Sequence, residues 1–409
     1  MIYAAILGHG TVGSGVAEIL INHNDRICEK IKDSIAVKYI LELRDFSNLP
    51  YFDKFTKDFE QILNDNEVKI VAEVMGGIHP AYDFVKRCLE SGKSVVTSNK
   101  ELVAQKGAEL LKIASENSVN FLFEASVGGG IPILRPMAQC LAANDINSVT
   151  GILNGTTNYI LNKMIVDSMD FETALKLAQE KGFAEKSPTA DIEGHDTCRK
   201  ICILSSLAFG KHVYPDQVKT QGITSITLDD VAYAEKFNCA VKLIAKAKKQ
   251  PNGKISAIVA PMLVPYDNIL SRVDGVFNAI VVNGDATGDV MFYGKGAGKM
   301  PTASAVVADI IDCAKHLHAR KYFDWQDGER DYVIKDTGKE RFYVLIKSHN
   351  FDELKNSYFA AFPDNYLKIE NELSGEIAFI TDEDYKSKID KKLDLIKYEK
   401  IKIIKLLSE

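Results

Sequence analysis

The sequence predicts an α/β protein in three parts: an N-terminal doubly wound parallel sheet, a mixed α/β middle, and a small α+β module at the C-terminus. Three observations carry this. Strand-like apolar runs alternate with helical ones through the first third of the chain, the rhythm of successive βαβ units. The first of these runs, Ile2 to Leu7, passes directly into Gly8-His9-Gly10-Thr11-Val12-Gly13. Beyond position 340, short strand-like runs flank two helical stretches. At 409 residues the chain is too long for one core, so two or three domains are expected.

Behind the first glycines, Val12, Val16, Ile19 and Leu20 recur at helical spacing. The Gly-x-Gly-x-x-Gly string therefore lies between a strand and a helix, the context that a dinucleotide fingerprint requires. Gly8, Gly10 and Gly13 let the backbone approach a pyrophosphate, and the N–H groups of Thr11 and Val12 at the helix start are the expected donors to it. Further strands are expected at Ala36–Leu43, Lys69–Met75, Ser94–Thr97 and Asn120–Glu124, completing a Rossmann-type sheet. Ligands of such sheets lie beyond the carboxyl ends of the strands, where Met75-Gly76-Gly77, Ser98-Asn99-Lys100 and Glu124 to Gly130 fall. Arg44 and Asp45 follow the second strand. An arginine there suits the 2′-phosphate of NADP and an acid the ribose hydroxyl of NAD, so the reading leans to NADP and leaves dual use open.

The segment from Gly182 to Lys200 sets Glu185, Asp191, Glu193 and Asp196 ahead of an apolar helix that continues through Ile201, Cys202, Ile203 and Leu204. Asp196 and Lys200, four apart, share one helical face in the favourable acid-before-base order. Alone, the pair reads as an ordinary salt bridge; beside a nucleotide loop it gains a second use. Reduction of a carbonyl leaves an alkoxide that needs a cation and a proton, and Lys100 at a strand end and Lys200 lead as candidates. Tyr159, in a Tyr-x-x-x-Lys spacing with Lys163, is the alternative donor.

Composition excludes several classes. With 46% apolar and 26% charged residues, the chain reads as an ordinary soluble protein, and a net charge of −6 gives no footprint for nucleic acid. No apolar run has transmembrane length and the N-terminus lacks a signal-like pattern, so a cytoplasmic protein without a membrane partner is expected. Seven scattered cysteines read as reduced thiols, and eight histidines without zinc-type spacing predict no catalytic zinc.

Over roughly positions 1 to 320 the chain resembles homoserine dehydrogenase. The resemblance rests on the Gly8 to Gly13 loop, Val74-Met75-Gly76-Gly77, Thr97-Ser98-Asn99-Lys100, the Phe123 to Pro132 string and Leu153-Asn154-Gly155-Thr156-Thr157-Asn158-Tyr159-Ile160-Leu161. The 182 to 200 segment and Gly294 to Thr302 complete it. It implies NAD(P)-linked interconversion of L-homoserine and L-aspartate 4-semialdehyde, towards threonine and methionine. By resemblance Lys200 is the acid/base catalyst, Lys100 assists at the hydroxyl, and Glu185, Asp191 and Asp196 hold the small-molecule substrate. Gly182, Gly296 and Gly298, with Gly76 and Ser98, approach the cofactor. Glu124 with the carbonyls of Val127, Gly129 and Ile131 resembles the family's monovalent cation site, suited to sodium. Ser187 stands before Pro188 where many relatives have an acid.

The resemblance also implies residues 1–130 plus 301–323 as the nucleotide-binding domain, with an apolar stripe of Ala303, Val306, Val307, Ile310 and Ile311 packing the return helix onto it. Residues 131–300 form the substrate and dimerisation domain, with strands at Ser256–Val264 and Ala279–Val282, and a homodimer or dimer of dimers is the expected assembly. After a linker from Asp324 to Glu340, strands at Phe342–Ile346, Lys368-Ile369, Glu376–Ile380 and Lys400–Ile404 with helices over 351–360 and 382–393 resemble an ACT-type fold over 341–409. Its first turn, Ser348 to Glu353, lacks the Asp-x-Pro-Gly signature of an effector pocket, so a degenerate ACT-like module serving assembly is expected. Two rivals remain. An aspartate-semialdehyde dehydrogenase needs a nucleophilic cysteine, and Cys239 lies in the helical-looking Ala234 to Leu243; a non-enzymatic nucleotide sensor predicts loss of the lysines or Glu185. A kinase fusion is not expected, because the chain opens on the nucleotide strand.

Overall fold

The computed structural model describes residues 1–319, 323–336, 338–365 and 367–407. Among them the chain forms two large sheets. The first has six parallel strands: β1 (Ile2–Leu7), β2 (Ile35–Leu41), β3 (Phe55–Thr56), β4 (Val68–Glu73), β5 (Ser94–Thr97) and β6 (Phe121–Leu122), in the order β3-β2-β1-β4-β5-β6. The order reverses at β1, so β1 and β4 flank the switch point at which doubly wound sheets bind ligands. Strands β1, β4 and β5 are buried almost throughout, which is why they read as unbroken apolar runs. Three strands end short of expectation, among them β4, which stops at Glu73 rather than Met75. The second strand stops at Leu41, because the Glu42 side chain turns back to its own loop; the last strand stops at Leu122, where a short 3-10 turn over Glu124–Ser126 takes over.

The helix Lys299–Lys315 returns to this sheet as expected. Ala303, Val306, Val307 and Ile310 are buried on its inner face, and it packs so closely on Thr11–Asn22 that a Cβ on Gly15 would lie 2.9 Å from that of Ala303. Residues 320–322 of the expected 301–323 return segment lie outside the described residues, as do positions 337, 366, 408 and 409 of the later segments.

The second sheet has Gly288–Lys295 at one end, followed by Phe277–Gly284, Ile146–Ile152, Cys239–Lys249 and Ile255–Pro265. Its helices include Gly155–Val166 and His195–Phe209. The helical reading of Ala234 to Leu243 is overturned: the helix Leu228–Lys236 ends first, and Cys239 opens a central strand paired on both sides. A strand buried in mid-sheet lacks strict alternation, so short apolar runs of this kind do not distinguish helix from strand.

The tail runs strand, helix, strand, strand, helix, strand, with the strands Phe342–Lys347, Lys368–Asn371, Glu376–Ile380 and Lys400–Leu406 in the antiparallel order last-first-third-second. The second helix begins at Lys386 rather than 382, since Asp384–Tyr385 pairs as a short strand with Lys339–Glu340. Lys400–Leu406 also pairs in parallel with Ile255–Pro265, through Met262 with Lys405 and Leu263 with Leu406, so the tail extends the middle sheet. The expected linker is a packed strap for part of its length. Trp325 and Tyr332 are buried, and the Trp325 indole donates to His212 Nδ1 at 2.8 Å.

Candidate active site

The loop after β1 separates the work of its three glycines. Gly8 has φ +99°, the tight turn out of the strand, and a Cβ on Gly13 would lie 2.0 Å from the Gly8 carbonyl oxygen, so Gly13 is required for the helix to pack on the turn. Gly10 differs: a Cβ there would meet no protein atom within 4 Å. Gly10 also precedes the helix Thr11–Asn22 without a side-chain cap, which leaves the N–H groups at Thr11 and Val12 aimed outward, as a bound pyrophosphate requires. The loop fits the phosphates of a dinucleotide, and only Gly10 among the three is free to serve close approach.

Glu42, which the sequence reading passed over, closes the outer side of this loop. Its carboxylate accepts from the N–H of His9 at 3.0 Å, of Leu43 at 2.9 Å and of Arg44 at 3.2 Å, and from the Arg44 guanidinium at 2.8 Å. The Arg44 hydrogen bond outweighs burial and holds the carboxyl down at about 2. Arg44 also donates to the His9 carbonyl at 3.3 Å while its side chain stays 63% exposed, so an exposed cation borders the loop.

A buried acid links the next two strand ends. Glu73, at the end of β4, is fully buried; its carboxylate accepts from the N–H of Met75 at 2.8 Å and Gly76 at 3.2 Å, and from the Thr97 hydroxyl at 2.6 Å. Thr97 Oγ1 in turn accepts from the Asn99 N–H at 2.9 Å, and the Asn99 side chain donates to the Gly77 carbonyl at 2.6 Å while capping the helix Lys100–Glu116. The glycine turn and the Ser98 to Lys100 turn are thereby locked together, with Lys100 presented on the first turn of its helix.

Lys100 and Lys200 meet on one carboxylate. Asp196, 3% exposed, binds Lys100 Nζ through Oδ1 at 2.5 Å and Lys200 Nζ through Oδ2 at 2.7 Å. Lys200 also donates to the Leu153 carbonyl at 2.7 Å. Asn154 caps the helix Gly155–Val166 with its oxygen and donates its amide to Asp191 at 2.7 Å and Asp196 at 2.8 Å, bringing the second acid into the cluster. The two lysines differ electrostatically. Burial lowers Lys200 despite Asp196 and sets it below the usual lysine range, whereas at Lys100, with a side chain 41% exposed, the opposing pull of burial is overcome by Asp196 and the ammonium is held more firmly. Asp196 would be raised by burial but is drawn well below the carboxylate range by the two cations; Asp191 is raised by burial and by the Asp196 charge. A lysine poised to release a proton thus lies beside one fixed as a cation, the pair that reduction of a carbonyl calls for.

Other expected residues are placed differently. Glu185 is exposed, and among the described residues only its carbonyl is engaged, by the Gln179 side chain at 3.1 Å. Gly182, at φ +72°, lies on the same exposed turn. Tyr159 packs edge-on against Phe183 with its buried hydroxyl unbonded, and the lysines over its ring are Lys163 at 5.8 Å and Lys181 at 5.6 Å. Gly296 is needed for protein packing, since a Cβ there would lie 1.9 Å from Asn278 Nδ2; Gly298 precedes the helix Lys299–Lys315 without a side-chain cap. Both carboxylate oxygens of Glu124 are engaged, accepting from the N–H groups of Ile133, Leu134 and Arg135 at 2.6 to 2.8 Å, while the Glu124 N–H donates to Asp309. The carboxylate therefore faces donors rather than the Val127, Gly129 and Ile131 carbonyls. Among the described residues no cluster of three metal-ligating His, Cys, Asp or Glu side chains occurs.

The site can be set beside known proteins. A family model for the homoserine dehydrogenase NAD-binding domain matches residues 8–124, and the homoserine dehydrogenase model matches residues 132–311. The homoserine dehydrogenase of Bacillus subtilis is 42% identical over 320 residues, covering 77% of this chain and 73% of the relative. The crystal structure of a homoserine dehydrogenase from Thiobacillus denitrificans matches with TM-score 0.88 at 32% identity, over 100% of this chain and 98% of that one. A hyperthermophilic archaeal homoserine dehydrogenase mutant in complex with NADPH matches with TM-score 0.65 at 28% identity, over 76% of this chain and 97% of that one. The fingerprint loop, the lysine pair on Asp196 and these likenesses converge: the chain belongs to the homoserine dehydrogenase family.

Proposed function

We propose that the chain interconverts L-aspartate 4-semialdehyde and L-homoserine, with Lys200 moving the proton and Lys100 holding the oxygen. The observation that carries this reading is the convergence of both lysines on Asp196 near the ends of the nucleotide sheet. A nicotinamide held by the fingerprint loop would supply the hydride to the carbonyl carbon in the forward direction and accept it in reverse. As the carbonyl π bond breaks, the oxygen takes a proton from the Lys200 ammonium, leaving a neutral amine oriented by Asp196 and the Leu153 carbonyl. Its lowered pKa suits Lys200 to both directions, and the raised one keeps Lys100 cationic beside the developing oxyanion. Asp191 and Asp196 hold the substrate ammonium. Glu185, by resemblance a third substrate ligand, lies on the exposed turn with Gly182.

Gly8, Gly10, Thr11, Val12 and Gly13 hold the pyrophosphate, Gly76, Ser98 and Lys100 border the nicotinamide side, and Gly298 with Gly296 approaches from the return helix. NADP is the preferred cofactor. Glu42 is already bonded to the loop and to Arg44, which leaves the exposed guanidinium as the group that would meet a ribose 2′-phosphate, and the archaeal relative's NADPH complex supports the choice. The Glu124 carboxylate does not fit a sodium-ligand role, so an ion at this turn would rest on main-chain carbonyls; no step depends on it.

We assign residues 1–130 plus 301–323 to nucleotide binding, 131–300 to substrate binding and dimerisation, and 341–409 to a degenerate ACT-like module that serves assembly of a homodimer or dimer of dimers. The strand order of the tail supports that last assignment. Among the described residues no helix is long and apolar enough to cross a membrane, and we place the enzyme in the cytoplasm, on the route to threonine and methionine. A thioester route through Cys239 is disfavoured, since burial pushes its thiol up to about 11. The test is homoserine-dependent reduction of NADP and NAD, with and without threonine, in wild type and Lys200→Ala. The variant should bind NADPH normally and lose at least about 100-fold in kcat, the scale of general acid–base catalysis; wild-type turnover would remove Lys200 from the mechanism.

A further inference from the structure

We infer that Glu101 and Arg199 are a positioning pair that sets the spacing of Lys100 and Lys200, an inference that rests on the catalytic assignment above. Glu101 follows Lys100 in the first turn of Lys100–Glu116, and Arg199 precedes Lys200 in His195–Phe209. Arg199 Nη2 donates to Glu101 Oε1 at 2.9 Å, with the two side chains 26% and 30% exposed. The pair therefore joins the helix that continues from the nucleotide sheet to the helix that lies on the middle sheet, one residue away from each lysine. A second tie between the same parts is the 3.0 Å hydrogen bond between His212 Nε2 and the Ala104 carbonyl, one turn along the first helix and just beyond the end of the second.

The contacts that now join the lysines run through Asp196 and must loosen when either Nζ turns to a substrate oxygen. At that moment Lys100 keeps its place through the Asn99 cap on one side and the Glu101 to Arg199 bridge on the other. A partly exposed ion pair contributes little to folding stability, so its main effect is geometric: misplacement of a catalytic group by about 1 Å costs up to about 100-fold in rate.

The experiment is a double-mutant cycle with Glu101→Gln, Arg199→Gln and the double variant, read as kcat, KM for homoserine, NADPH affinity and melting temperature, with Lys200→Ala alongside. Each single variant should lose about tenfold in kcat with NADPH affinity and melting temperature nearly unchanged, and the double should lose no more than either single, as expected when both residues act through one contact. Singles within twofold of wild type, additive losses in the double, or a rate loss matched by weaker NADPH binding would each overturn the inference. An active Lys200→Ala would instead overturn the catalytic assignment, so the two failures are distinguishable.

Discussion

Replacing Asp196 by Asn keeps the size of the side chain and removes the one charge on which both lysines converge. At the 2.7 Å separation from Lys200 Nζ the lost attraction is roughly 6 kcal/mol at an effective dielectric of about 20. Burial already lowers Lys200, and Asp196 is the largest influence opposing it; Lys100 adds a second downward push. Without the carboxylate, the Lys200 pKa must fall further. The ammonium fraction at any given pH falls with it, and semialdehyde reduction loses proton donor. The expected result is a fall in forward kcat of at least about 100-fold, the scale of general acid catalysis. Lowering the pH should restore part of it, because the displaced group regains its proton only there. The cost in folding stability should be about 1–3 kcal/mol, below the 3–5 typical of breaking a buried pair, because Lys100 is 41% exposed and Lys200 can shed its charge. The assay is kcat against pH in the reductive direction, with denaturant melts in parallel. A variant with kcat within twofold of wild type and an unshifted profile would refute the reasoning.

Two further outcomes follow from the nucleotide side. Gly10→Ala should fold with an unchanged melting temperature yet bind NADPH at least about tenfold more weakly by fluorescence titration, whereas Gly13→Ala should be destabilised by about 2 kcal/mol or more through its clash with the Gly8 carbonyl; equal effects at the two positions would contradict the division of labour. Arg44→Ala should raise KM for NADP about tenfold and leave KM for NAD within about twofold, as expected for loss of one charge-assisted phosphate contact; a matching rise for both cofactors in steady-state assays would remove Arg44 from the 2′-phosphate site.

Much of the site was legible because its signals are local. The glycine spacing, the apolar runs of β1, β4 and β5, and the i, i+4 relation of Asp196 to Lys200 each follow from neighbours in sequence. Groups whose partners come from elsewhere were not. Glu73 reads as one more residue of an apolar strand until Thr97 and the Met75–Gly76 turn close around its carboxylate. Asn154 entered the sequence reading only within the Leu153 to Leu161 string, and its use toward Asp191 and Asp196 depends on another helix arriving beside it. Glu124 was expected, by resemblance, to join the Val127, Gly129 and Ile131 carbonyls around a cation, yet what its carboxylate faces, the N–H groups of residues 133–135, was decided by how the chain after Pro132 coils. Cys239–Lys249 was misread because full burial erases the alternation that marks a strand.

Taken by itself, the amino-acid order determined most element types, the phosphate loop and the pairing of Asp196 with Lys200, because periodicity, glycine placement and charge spacing act over a few residues. Only the tertiary structure decided that Lys100, borne by one sheet, and Lys200, borne by the other, share Asp196, that Arg44 is held by Glu42, and that the tail joins the middle sheet through Met262 and Leu263. Those relations depend on the packing of helices and strands distant in sequence. No local propensity specifies such distances; they emerge when the buried faces close on one another.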